Sequence, residues 1–164
     1  DWDTNLFSKV TFYIPFSNQI NIYNNSNQKL EIIFNSNGEY QNSILLNTKL
    51  INEEIIIEEI MNPLFEKKND KLSAHKLMSS SFIIKIPDYI PLKIKINDAK
   101  VKCSGNFLDI NLKQKEGVFN LISQKSNGEI FTEYAEINIF SNHQSKFSNL
   151  KVTSKKGNVF YHTQ

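Results

Sequence analysis

Two carboxylate pairs, Glu53-Glu54 and Glu58-Glu59, three histidines, His75, His143 and His162, and a single cysteine, Cys103, are the side chains of this 164-residue sequence best suited to chemistry. Neighbours in an extended segment face opposite sides, so neither glutamate pair can converge on one substrate as acid and base. Both pairs read as the solvated flank of a strand. The histidines show neither H-x-H nor H-E-x-x-H spacing, and no Cys-His cluster occurs, so neither a zinc or iron site nor any other cofactor is expected. The chain contains no G-x-S-x-G elbow, P-loop or G-x-G-x-x-G turn, the common marks of hydrolases and nucleotide-binding enzymes. Cys103 has no partner for a disulfide and reads as a small buried hydrophobe. On these grounds no catalytic residue is assigned, and the protein is not expected to be an enzyme.

Composition points the same way. The net charge is +2, and all 19 basic residues are lysine. A nucleic-acid surface would call for arginine forks and a concentrated basic face, so no nucleic-acid partner is expected. Apolar runs such as Ile55 to Ile57 and Phe82 to Ile84 fall far short of the roughly 20 residues of a membrane-spanning helix. The 22 isoleucines and 22 asparagines make up more than a quarter of the chain, against 5 glycines and 4 prolines. Isoleucine favours pleated, half-buried strands and asparagine tolerates tight turns, which predicts many short strands.

Those strands can be placed. Val10 to Ile14, Ile20 to Tyr23 and Leu30 to Phe34 are short apolar stretches ended by Pro15, NNSNQ and NSNG. In NEEIIIEEIM, residues 52 to 61, three consecutive β-branched isoleucines outweigh the glutamates and predict a strand ending at Asn62-Pro63. From Asn62 to Ser81 the pattern lapses into a long charged excursion, and strands resume at FIIKIP (82–87) and LKIKI (92–96). In LKIKI, Leu92, Ile94 and Ile96 share one face and Lys93 and Lys95 the other.

From Leu92 onward a step of 29 residues lands on Leu121 and Leu150, on Gly128 and Gly157 from Ala99, and on Ile130 and Val159 from Val101. A fixed period in this range marks stacked repeats, and runs of two-residue alternation make the unit a strand coil. Gly128 and Gly157 would turn the same corner of successive coils, with Ile130 and Val159 in the core. Phe131 and Phe160 would then point outward one above the other, with Lys102 as their counterpart in the first coil, a possible contact surface for a sugar or a protein.

The segment NDKLSAHKL (69–77), the I-x-I-P strand (84–87) and the GEI and GNV corners together resemble the exported bacterial auto-transporter adhesin family with a head-GIN domain. The resemblance covers roughly residues 9 to 164. It implies export by a signal peptide, an extracytoplasmic place in the periplasm, outer membrane or cell surface, and a non-enzymatic, adhesin-like role. The expected fold is all-β within a single domain. An antiparallel strand-rich head (9–90) continues into a short right-handed β-solenoid with a 29-residue repeat (91–164), sharing one core. The expected partner is a surface ligand, polysaccharide or protein, bound by a monomer or weak oligomer with no transmembrane helix. Two alternatives stay open: a carbohydrate-active β-solenoid enzyme and a β-barrel that binds a small ligand or lipid.

Overall fold

The alternation in LKIKINDAKVKCS sets the pattern for the whole chain. In the computed structural model Leu92, Ile94, Ile96, Ala99, Val101 and Cys103 are buried and the lysines between them are exposed. The structure describes residues 1–37, 41–64, 79–141 and 149–163, so His75, His143 and the NDKLSAHKL segment lie outside the described residues.

The strands are β1 (Trp2–Asp3), β2 (Lys9–Ile14), β3 (Gln19–Asn25), β4 (Lys29–Asn37), β5 (Ile44–Ile51), β6 (Glu54–Met61), β7 (Ser79–Pro87), β8 (Leu92–Ser104), β9 (Ile110–Ile122), β10 (Gly128–Thr132), β11 (Glu136–Ser141), β12 (Leu150–Ser154) and β13 (Val159–Thr163). They form two ladders. The first runs β5, β6, β2, the front half of β8, the front half of β9, β10, β12; the second runs β1, β4, β7, β3, the back halves of β8 and β9, β11, β13. Apolar side chains of both ladders form one buried cluster between them, including the fully buried Phe12, Phe82 and Phe119. The sheet is open and its interior is filled, which corrects the barrel alternative.

Most of the pairing is parallel and in register. In the first ladder Leu92, Ile110, Gly128 and Leu150 align, at steps of 18, 18 and 22 residues. In the second, Val101, Phe119, Ile137 and Val159 align at the same steps. The 29-residue phase is therefore not the register of the ladders. A 29-residue step carries Leu92 in the first ladder to Leu121 in the second, and both positions are inward-facing and apolar. Alternation makes inward positions of the two ladders look alike in sequence, which is why the longer step matched.

The corner glycines sort differently too. A Cβ on Gly117 would lie 2.1 Å from the carbonyl oxygen of Ala99, and one on Gly157 would lie 2.0 Å from that of Ala135. Ala99, Gly117, Ala135 and Gly157 thus make one corner column of small residues. Gly128 belongs elsewhere, between Ile110 and Leu150, with φ of +120° and a Cβ position 2.1 Å from the Ile110 carbonyl oxygen.

The first half of the chain is not an antiparallel head. Strand β2 lies between β6 and β8, and β3 between β7 and β8, all parallel. Among the described residues only β1 with β4, β4 with β7 and β5 with β6 are antiparallel, and they close one end of the stack. Asn52 and Glu53, both at positive φ (48° and 60°), make the two-residue hairpin turn between β5 and β6 that a right-handed strand twist favours. The same strands from both halves enter the single core.

Glu59 corrects the reading of its pair as a solvated flank. It is buried, 4% exposed, and accepts the backbone N–H of Phe16 at 2.7 Å and of Ser17 at 3.0 Å, together with the Ser17 hydroxyl. The carboxylate thus satisfies the Pro15-Phe16-Ser17 corner, where the chain passes from the first ladder to the second. Glu54 accepts from the Thr11 hydroxyl and from Lys9 Nζ at 3.4 Å. These contacts, the hydroxyl first, hold its carboxyl below the ordinary value of 4.5.

Two measurements follow from this architecture. A Gly128→Ala change forces a side chain into left-handed backbone and against a carbonyl; we expect it to cost about 2 kcal/mol or more in urea unfolding. Because the Glu54 carboxyl is lowered on folding, its contribution is present above about pH 4.5 and disappears as pH falls through the lower folded value. Thr11→Val should therefore flatten the fall of unfolding free energy between about pH 6 and pH 3. An unchanged slope would show that the hydroxyl does not set the carboxyl's acidity.

Candidate functional site

The outer face of the second ladder carries a cluster of aromatic rings. Alternation along β11 and β13 turns Asn138, Phe140, Phe160 and His162 outward, because Ile137 and Ile139 fill the core. The 22-residue step then sets Phe160 beside Asn138 and His162 beside Phe140. The Phe140 and His162 rings stack with centroids 4.6 Å apart and planes 12° from parallel. Phe160 tilts against His162 at 6.4 Å, and His162 Nε2 lies 3.2 Å from Asn138 Oδ1.

A groove of about 500 Å³ opens beside this cluster, lined by Gly105, Asn106, Ile122, Ser123, Phe140 and Ser141 among others. Its floor is held by Asn106, whose Oδ1 accepts from the backbone N–H groups of Gln124 (3.1 Å) and Lys125 (2.9 Å) and from the Ser123 hydroxyl (3.2 Å). Ser123 and Ser126 share a further hydrogen bond of 2.7 Å. The Ser141 hydroxyl binds that of Tyr161 across the last two strands. The result is a shallow, fixed surface of aromatic rings edged by amides and hydroxyls. Such a surface can stack on the apolar face of a sugar ring or pack a flat hydrophobic side chain, while the amides bond neighbouring hydroxyls.

The residues expected from sequence are divided by the fold. Phe160 is 43% exposed on β13, and Lys102 is exposed in the same column, which runs Lys102, Asn120, Asn138, Phe160. Phe131, half-buried, stands on the first ladder between Lys113 and Thr153, so the two phenylalanines do not lie one above the other. Ile130 is buried as expected, but Val159 is 47% exposed. Val159 does continue the inward column of Val101, Phe119 and Ile137; among the described residues, however, no strand pairs with the outer edge of β13. Phe140 and Asn138 were not singled out in the sequence, and His162 only as one of three scattered histidines. Their signal is the pair of i, i+2 patterns N-I-F and F-Y-H, which align only at the 22-residue step.

Elsewhere several carboxylates are already engaged. Besides Glu54 and Glu59, Glu58 binds Lys49 at 3.1 Å, Glu31 binds Lys85 at 2.9 Å and Glu129 binds Lys151 at 3.0 Å. Among the described residues no group of three or more His, Cys, Asp or Glu side chains gathers. Cys103 is fully buried, and burial pushes its thiol far above the ordinary value of 9.0.

No family model matches the chain, and no curated protein does. Among solved structures, a "putative cell adhesion protein" from Clostridium sporogenes is similar over 99% of this chain and 96% of its own, with a TM-score of 0.57 and 12% identity. The likeness is one of fold. A "putative adhesin" from Bacteroides fragilis aligns over 96% of this chain and 92% of its own at 11% identity, with a TM-score of 0.33.

Because only the thiolate reacts, Cys103 should resist a disulfide reagent such as DTNB in the native protein and react stoichiometrically once unfolded in guanidinium. Rapid native labelling would show that the two ladders part readily around Cys103.

Proposed function

We propose that this protein is an exported, non-enzymatic, adhesin-like module that acts through surface contact outside the cytoplasm. The observation that carries the reading is the fixed aromatic and amide face of Phe140, Phe160, His162 and Asn138 beside the Asn106 groove. Such a face binds by stacking and hydrogen bonding. The nearby hydroxyls and amides are suited to holding a ligand in place, and glutamates of the two ladders are engaged by lysines, hydroxyls and backbone or, for Glu136 beside the face, by the Asn138 amide at 2.8 Å. The protein of similar fold from Clostridium sporogenes carries a cell-adhesion name, which agrees with this role.

The in-register parallel ladders are, in this reading, a short right-handed β-solenoid with rungs of 18 to 22 residues. The whole of residues 1–164 forms one folding unit, since β2 and β3 are intercalated between strands that follow them in sequence. Kinship with the head-GIN adhesins is part of the proposal, on the resemblance carried by NDKLSAHKL (69–77), the I-x-I-P strand (84–87) and the GEI and GNV corners. The ligand is a polysaccharide or a protein, met by a monomer or weak oligomer.

Binding to an array of neutral glycans and immobilised surface proteins is the direct test. Phe140→Ala and Phe160→Ala should each weaken the strongest hit by tenfold or more, since central aromatics dominate such contacts. Thermal unfolding of the exposed Phe160 variant should stay close to that of the parent. Unchanged binding by both variants, or release of shortened products from a polysaccharide, would refute the reading, the second by reviving a carbohydrate-active enzyme.

A further inference from the structure

The first ladder presents a different outer column that the aromatic face does not use: Tyr13, Lys95, Lys113, Phe131 and Thr153 follow one another in register. Other lysines of the ladders stand opposite acids or neutral residues: Lys93 faces Thr11 and Asn111, Lys100 faces Gln19 and Val118, and Lys102 faces Asn21 and Asn120. Lys9 faces Glu54, Lys85 faces Glu31 and Lys151 faces Glu129, with Nζ to carboxylate distances of 3.4, 2.9 and 3.0 Å. Lys95 and Lys113 differ in standing opposite each other. They are direct neighbours on strands about 4.8 Å apart, and among the described residues neither has a carboxylate partner.

Like charges placed opposite one another on a sheet repel, so this pair gains from an anion held between the two ammoniums, a place no carboxylate of the described residues takes. A groove of about 280 Å³ runs beside it, lined by Lys95, Asn97, Lys113, Lys115, Phe131 and Glu133 among others. Lys115 reaches Glu116 at 3.5 Å, so the groove holds two lysines without an ion pair, Lys95 and Lys113, against one lining carboxylate, Glu133. Three residues along each strand Asp98 stands beside Glu116, and neither lines the groove. Phe131 follows Lys113 in the column and adds a half-buried apolar ring. Glu133 offers an acceptor for hydroxyl groups.

We propose that this groove binds an acidic sugar of a polysaccharide, its carboxylate between the Lys95 and Lys113 ammoniums and its ring against Phe131. A free inorganic anion would have no use for the phenyl ring. A nucleic acid would need a longer run of cations than two lysines, and the chain has no arginine. The volume is close to the lower end of small-molecule pockets, about 300 Å³, and matches one sugar residue of a chain that passes across the face.

Calorimetry with a galacturonate oligomer and its fully methyl-esterified form tests the proposal on the intact chain. The acid form should bind and the ester at least about tenfold more weakly, with affinity falling as salt rises. Lys95→Gln, Lys113→Gln and Phe131→Ala should each lose about tenfold. The two glutamine variants remove a repulsion and should unfold at or above the parent's temperature. Phe140→Ala should bind the oligomer like the parent, which separates this groove from the aromatic face. No heat with the acid form at millimolar concentration, equal binding of the ester, or parent-like affinity in both lysine variants would overturn the proposal. So would displacement by inorganic phosphate with no loss in Phe131→Ala.

Discussion

Strands that stack in parallel, in register, leave their backbones about 4.8 Å apart, and wherever the chain turns a corner that spacing must be kept without the hydrogen bonds of a regular ladder. Here the corner column Ala99, Gly117, Ala135 and Gly157 meets the constraint, with carbonyl oxygens occupying the places where larger side chains would begin. Everything else depends on that close approach. The inward columns of Val101, Phe119 and Ile137, and of Ile94, Leu112 and Ile130, stack only because the corners hold successive rungs in phase. The outward columns inherit the same phase, so Phe140 meets His162 and Lys95 meets Lys113 as a result of the register that fills the core.

The order in which the rungs are laid down is less simple than their geometry. After β3 the chain leaves a gap in each ladder, places β4 beyond the gap in the second and β5 beyond that in the first, and then fills them with β6 in the first and β7 in the second before β8 continues on the far side of β2 and β3. The corner entered after β2 is where this intercalation has to be secured. A buried carboxylate there is a strong device: Glu59 on β6 ties the Phe16 and Ser17 backbone of the preceding rung. The buried N–H of Ser17 and the part-buried N–H of Phe16 are thereby satisfied, and the neighbouring rungs are fixed to one another.

Much of the strand content was legible because alternation is a local signal. Leu92, Ile94 and Ile96 against Lys93 and Lys95 could be read from five residues, and the NEEIIIEEIM stretch from its isoleucines. Register is not local. Inward residues of both ladders are equally apolar, so a step of 29 that changes ladder matches as well as the true steps of 18 and 22. Small residues could have decided the matter, since Ala99, Gly117, Ala135 and Gly157 share a column, but two of the four are alanines and do not announce a turn. The same ambiguity split the expected site. Phe131 and Phe160 looked equivalent by the longer step, whereas the pairing that builds the aromatic cluster joins Phe140 to His162. Pairing across the excursion between β6 and β7 was beyond any local pattern, and the parallel order of the first half was missed for that reason.

The two ends of the stack differ. Antiparallel β4 and β5 close one, while β12 and β13 have neighbours on one side only among the described residues. Half of the aromatic face, Phe160 and His162, sits on that outermost rung, and the other half, Asn138 and Phe140, on the rung beneath. Edge elements with few contacts open at lower free energy than central ones. A ligand that spans both rungs therefore grips a seam, and its affinity includes the work of holding the outer rung down. Recognition and local folding at this end are one equilibrium, in which occupancy shows itself as order in β13.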